Sequence, residues 1–210
     1  ASIVLSAAIP TRMPSTSLLR PSHYQRTRWK NDGGWTTELA RRDDESGGFL
    51  WRVSIAEIER DGPFSAFPGI ERDLLLLEGS GIELDIGDAP ARRLSRRFER
   101  VHFAGEAEVY CRLLAGATRD FNVMARRDAV VAEVAARPLV GSMLLFPEAG
   151  AEWLVHVHAG SLHLRRDAAA VDAAAGDSLR LQDDGGRIIL EGSGEVVIVK
   201  FASRFARASA

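Results

Sequence analysis

Apolar residues along this chain recur mostly at every second position or in short unbroken runs, and few windows keep the spacing of an amphipathic helix. In "LWRVSIAEI", Trp51, Val53 and Ile55 alternate with Arg52, Ser54 and Ala56, the period of a strand with two unlike faces. "ERDLLLLEGSGIELDIGD" predicts a buried strand over Leu74 to Leu77, a turn at Gly79-Ser80-Gly81, and a strand with Ile82, Leu84 and Ile86 on one face, hence a β-hairpin. "EWLVHVHAGSLHLRRD" repeats the plan around Gly160-Ser161, so the two halves read as versions of one unit. Further strands are expected at "DSLRLQ", "GRIILEG" and "EVVIVKF". "RRDAVVAEVAARPL" fits a helical stripe or a strand face, and its β-branched residues favour the strand. A small helical element fits "SRRFERVHF". Short strands with Gly-rich turns predict an all-β sandwich or barrel.

Composition narrows the function. With 210 residues and 46% hydrophobic content, the chain suffices for one substantial domain or two small ones around a shared core. The 27 basic and 29 acidic residues leave a net charge of -2, so no field of one sign draws in nucleic acid or an anionic membrane. Small molecules or other proteins are the expected partners. No apolar run approaches the ~18 to 20 residues of a membrane-spanning helix. The opening "ASIVLSAAIPTRM" has no basic residue ahead of its apolar stretch and reads as a tail rather than a secretory signal. Cys111 has no second cysteine to pair with, and "VYCRLLAG" suits a buried, reduced thiol.

Three segments carry candidate chemistry. "WKNDGG" lacks the strand-to-helix setting and the Gly-Lys-Ser/Thr of a nucleotide loop. It reads as a tight turn in which Gly33 and Gly34 supply positive φ, while Trp29 and Asn31 offer a flat apolar wall and a two-way amide. In "DGPFSAFPGIERDLLLLEG", two rigid turns hold Phe64, Ser65 and Phe67 beside Glu71 and Arg72. Arg72 is a planar fork suited to a carboxylate, or else the partner of an acid such as Asp120. "ATRDFNVMARRD" places Asp120, Asn122 and Met124 at alternate positions, on one face of a strand. His156, His158 and His163 superficially follow a cupin metal motif. The acidic ligand of that motif is replaced by His163, and Arg165 continues its face, so a solvated edge is expected and no metal or other cofactor. No serine-hydrolase elbow, Cys-x-x-Cys or His-Glu-x-x-His is present.

The segments "WKNDGGWTTEL", "WRVSIAEI", "GPFSAFPGIERDLLLLEG", "FAGE" and "RDFNVMARR" resemble the HutD/Ves family in order and spacing, over roughly residues 18 to 127. The resemblance implies a bicupin, two small antiparallel β-barrels in one chain with little helix: a tail over 1–17, one barrel over 18–127 and another over 128–210. It implies a bacterial cytoplasmic protein linked to histidine utilisation or stress responses that binds a small carboxylate metabolite of the urocanate or formylglutamate type. Its ligand-binding residues would be Trp29, Asn31, Arg52, Ser65, Phe67, Glu71, Arg72, Asp120, Asn122 and Met124. Asp32 departs from the family's glycine run, and its carboxylate would either repel an acidic ligand or point to solvent. The alternative is a cupin-like isomerase or hydrolase with Glu71 or Asp120 as general base. Open barrel edges make a homodimer plausible.

Overall fold

The computed structural model describes residues 15–146, 148, 150–166, 169–182 and 187–204. In chain order the strands are β1 (Ser15–Leu19), β2 (Gln25–Arg28), β3 (Gly34–Asp43), β4 (Phe49–Ile58), β5 (Gly62–Pro63), β6 (Ile70–Glu78), β7 (Ile82–Ile86) and β8 (Arg92–Leu94). They continue with β9 (Arg100–Ala104), β10 (Val109–Leu113), β11 (Thr118–Arg126), β12 (Val130–Leu145), β13 (Glu152–Arg166), β14 (Ala169–Ala174), β15 (Ser178–Gln182) and β16 (Ile188–Ser203). A single 3-10 turn at Pro21–His23 is the helical content among the described residues. The expected all-β class stands. Strand β1 begins at Ser15, inside the segment read as a tail, and pairs with β15 of the C-terminal sheet.

Three sheets build the molecule. The central one runs β2-β3-β4-β11-β6-β9, and a smaller one runs β5-β10-β7-β8. Between them lies a core that includes Ile58, Leu74, Leu76, Leu84, Phe103 and Cys111. The third sheet runs β1-β15-β13-β16-β12 with β14 on β13, and it packs Leu154, Val197, Val199 and Phe201 against Trp51, Val53, Leu75, Leu77 and Phe121 of the central sheet. Another core, with Val155, Leu162, Leu179 and Ile198, fills the C-terminal half. Strand β6 is therefore covered on both faces, Leu74 and Leu76 by the first barrel and Leu75 and Leu77 by the C-terminal sheet. An unbroken apolar run is what such a strand requires. The Cys111 thiol is fully buried, and burial first, then the nearby Asp120 and Asp61, pushes its pKa up to about 12.

Both expected hairpins are absent. Strands β6 and β7 belong to different sheets, and the Gly79–Gly81 turn carries the chain across the barrel. Gly81, at φ 110, lies so close to β8 that an added Cβ would stand 2.2 Å from the Leu94 carbonyl oxygen. "EWLVHVHAGSLHLRR" is one continuous strand, β13, with a register shift against β16 between Val157 and Ala159. Gly160, read as a turn, lies beside that bulge, as a glycine inside a strand often does. "GRIILEG" and "EVVIVKF" likewise fuse into β16, "RRDAVVAEVAARPL" lies in β12 as the strand it was expected to be, and "SRRFERVHF" forms a bend followed by β9 rather than a helix.

Candidate functional site

Strand register sets the floor of the main cavity. Across β4, β11 and β6 the pairing aligns Arg52, Met124 and Arg72 in one row, Ser54, Asn122 and Leu74 in the next, and Ala56, Asp120 and Leu76 in a third. These are the inward positions of the central sheet. Over them close the Phe64–Phe67 segment, anchored by Phe64 N–H to the Val109 carbonyl (2.9 Å) and Phe67 N–H to the Gly105 carbonyl (2.7 Å), and the turn that starts at Trp29. They enclose about 600 Å³, and Trp29, Asn31, Arg52, Ser65, Phe67, Arg72, Asn122 and Met124 all line that space. Thr36, which accepts a hydrogen bond from the Trp29 indole (2.8 Å), also lines it. Sequence reasoning does not single out Thr36, because only the register of β3 on β4 brings it opposite Ala56.

Arg72 is the unusual group in this cavity. Its side chain is 6% exposed, and no carboxylate pairs with it among the described residues. Instead it donates long hydrogen bonds to Asn122 Oδ1 (3.3 Å) and the Ser65 carbonyl (3.4 Å), and its Nε has no partner. The guanidinium lies 4.9 to 5.5 Å from the ring centres of Phe103, Phe64 and Phe67. Burial, and secondarily the charge of Arg52, lowers its pKa to about 10, so it stays cationic at neutral pH. A buried charge with so little compensation is costly unless an anion completes it. Arg52, by contrast, is held by Glu38 at 2.6 Å.

The ion pair between Arg72 and Asp120 does not form. Asp120 lies two rows deeper than Arg72, fully buried, with one oxygen accepting from the Thr118 hydroxyl (2.8 Å) and the other unpartnered. It does not line the cavity. Glu71 is also outside it, since alternation along β6 turns it to the face opposite Arg72, where it pairs with Arg127 and with His102 Nε2 (3.0 Å). Neither carboxylate is placed for the general-base role. Burial raises the Asp120 pKa to about 7, while the Thr118 hydrogen bond lowers it by less. An unfolded aspartate ionises near ~4, so between those values the unfolded state binds fewer protons than the folded one. The Asp120 contribution to stability should then fall as pH rises from about 4 to about 7, and Asp120→Asn should remove it. Buried His156, its pKa pushed down, imposes the opposite slope over part of this range, so urea unfolding at pH 5 and pH 8 compares wild type with Asp120→Asn, and an equal stability difference between the two proteins at both pH values would contradict the assignment.

The "WKNDGG" turn is built differently from expectation. Positive φ occurs at Asp32 (55°), not at Gly33 or Gly34. Asn31 Oδ1 accepts from Gly33 N–H (3.1 Å), which leaves its amide N–H₂ as a donor in a residue that lines the cavity. Gly34 is required by contact, because an added Cβ would sit 2.1 Å from the Glu57 carbonyl oxygen. Asp32 tolerates the left-handed conformation better than most residues. Its side chain is 73% exposed and meets Arg28 at 3.3 Å, outside the cavity, so of its two expected orientations it takes the solvent one. Gly34→Ala should therefore cost about 1 to 3 kcal/mol or more, whereas Asp32→Gly should leave both stability and ligand affinity nearly unchanged. Chemical denaturation of the two variants checks the contrast, and the reverse order would refute this account of the turn.

The three histidines do not converge. His156 is buried, bonds Ser178 Oγ through Nδ1 (3.0 Å) and packs on Phe121, and burial pushes its pKa down to about 3. His158 packs edge-on against Phe98, and His163 pairs with Asp172 (2.7 Å). Among the described residues no group of three His, Cys, Asp or Glu side chains is placed to hold a metal ion.

An all-β chain of cupin-like halves is a cupin-class fold, and a similar architecture is found in the pirin YhhW from Escherichia coli (TM-score 0.67, 13% identity, 90% of this chain and 99% of that one). The family model HutD matches residues 21–198, and the chain belongs to the HutD/Ves family. HutD from Pseudomonas fluorescens SBW25 superimposes with a TM-score of 0.79 at 28% identity, covering 90% of this chain and all of that one. Among curated relatives, an uncharacterised 21.2 kDa protein in the hutC 3' region of Pseudomonas putida is 45% identical over 113 residues, 53% of this chain. Protein Ves of Citrobacter koseri is 39% identical over 107 residues, 50% of this chain. The chain spans 59% and 56% of those two relatives.

Proposed function

We propose that this chain is a cytoplasmic binder of a small carboxylate metabolite, of the urocanate or formylglutamate type, with a regulatory role in histidine utilisation or stress response. The observation that carries the reading is Arg72, a guanidinium buried in the cavity floor without an acid to neutralise it. A carboxylate supplies the missing charge and can take two parallel N–H donors. Asn122 and Ser54 line the same floor as hydrogen-bonding groups, and Trp29 and Phe67 form apolar walls. The histidine link draws on the relative in the hutC 3' region and on the HutD structure.

Binding to the folded state alone raises stability by about 2.7 kcal/mol at a hundred times Kd. Thermal unfolding with urocanate and with formylglutamate, each at millimolar concentration, should show an upward shift for at least one. No shift with either removes the named ligand class, and turnover of either would instead support the enzyme reading.

A further inference from the structure

We propose that this cavity selects a small dicarboxylate over a monocarboxylate, with Arg72 holding the inner carboxylate and Lys30 the outer one. The inference rests on the reading of Arg72 as the inner anchor. Among the described residues Arg28, Lys30, Arg52 and Arg72 line the cavity, and no Asp or Glu does.

Two of the four cations are already neutralised. Arg28 meets Glu59 at 2.6 Å and Asp32 at 3.3 Å, and Arg52 meets Glu38 at 2.6 Å. Arg72 and Lys30 have no acidic partner among the described residues. They lie at different depths, since Arg72 is buried and Lys30 is exposed on the turn. That turn is held by the hydrogen bonds from Asp32 N–H to the Trp29 carbonyl (3.1 Å) and from Gly33 N–H to Asn31 Oδ1. Lys30 is therefore fixed at its backbone while its flexible stem keeps three donors free to follow a ligand.

The rest of the lining suits the middle of such a molecule. Trp29 and Phe64 meet edge to face with centroids 6.2 Å apart, and with Phe67 they present apolar surface for a methylene stem. Ser54 and Asn122 supply neutral polar groups along the floor. A space of about 600 Å³ lies within the range of small-molecule sites. Two positive charges at different depths, apolar walls and no lining acid among the described residues together match a short chain with a carboxylate at each end.

Glutarate and pentanoate have the same carbon count and differ in the second carboxylate, so isothermal titration at low salt isolates it. Wild type should bind glutarate roughly fivefold more tightly than pentanoate, and the ratio should shrink as salt is added. Lys30→Met should weaken glutarate more than pentanoate and bring the ratio of their affinities to about one. Equal wild-type affinities, or a ratio that survives Lys30→Met, would overturn the dicarboxylate inference while leaving the Arg72 anchor standing. Arg72→Met should weaken both compounds, and unchanged pentanoate binding in that variant would instead overturn the anchor. Absence of binding of either compound to wild type overturns both.

Discussion

Glu152→Ala should lower the stability of the protein by about 2 to 3 kcal/mol, one of the largest losses available from a single polar substitution. Glu152 is 4% exposed and lies where the N-terminal and C-terminal sheets meet. It accepts hydrogen bonds from Arg42 of β3, and from Arg180 of β15 at 2.7 Å. Arg180 in turn lies 4.9 Å over the Trp51 ring, which stacks on Phe201. Truncation would leave two guanidiniums facing each other without an acid. Their partial exposure allows water to relieve some of that cost, so the estimate is placed below the ~3 to 5 kcal/mol typical of fully buried pairs. Burial raises the Glu152 pKa, but the hydrogen bond and charge of Arg180, with the charge of Arg42, outweigh it and the net shift is downward. The stability it contributes is therefore present above the unfolded carboxylate pKa and lost as pH falls through the lower folded value. Denaturant unfolding at neutral pH measures the loss, and a change under about 0.5 kcal/mol, the size of an ordinary surface substitution, would show that the two halves do not depend on this clasp.

Arg72→Met should separate binding from stability. A charge-assisted bidentate contact is worth about 1.5 to 3 kcal/mol, so a carboxylate ligand should bind roughly ten- to a hundredfold more weakly. Methionine fits a site walled by Phe64, Phe67 and Phe103, and it removes a buried cation that has only two long hydrogen bonds. Without ligand, the variant should be at least as stable as wild type. A residue held in place for packing would behave in the opposite way, losing stability on replacement while binding fell only as a consequence. Comparing unfolding midpoints with and without ligand resolves the two roles.

Strand type and the chemistry of the cavity were legible because each followed from alternation. Arg52 and Ser54 share one face of β4, and Asn122 and Met124 share one face of β11. The same rule, applied to "IERD", would have sent Glu71 away from Arg72. Its neighbour Arg72 and the family motif place it in the expected ligand set instead. Connectivity was less legible. Gly79–Gly81 and Gly160 carry the local chemistry of turns, yet the first crosses between sheets and the second lies beside a bulge, outcomes decided by the close approach of Leu94 and Ser193 from distant strands. Asp120 shows a third limit: its face was right, but its depth along the barrel depends on register across three strands.

In the proposed function, Arg72 pairs with a carboxylate of the ligand. Calorimetric titration of wild type and Arg72→Met with urocanate and formylglutamate tests it most directly. The account predicts that wild type binds at least one of them and that Arg72→Met binds that ligand at least about tenfold more weakly. Equal affinities in the two proteins would contradict it.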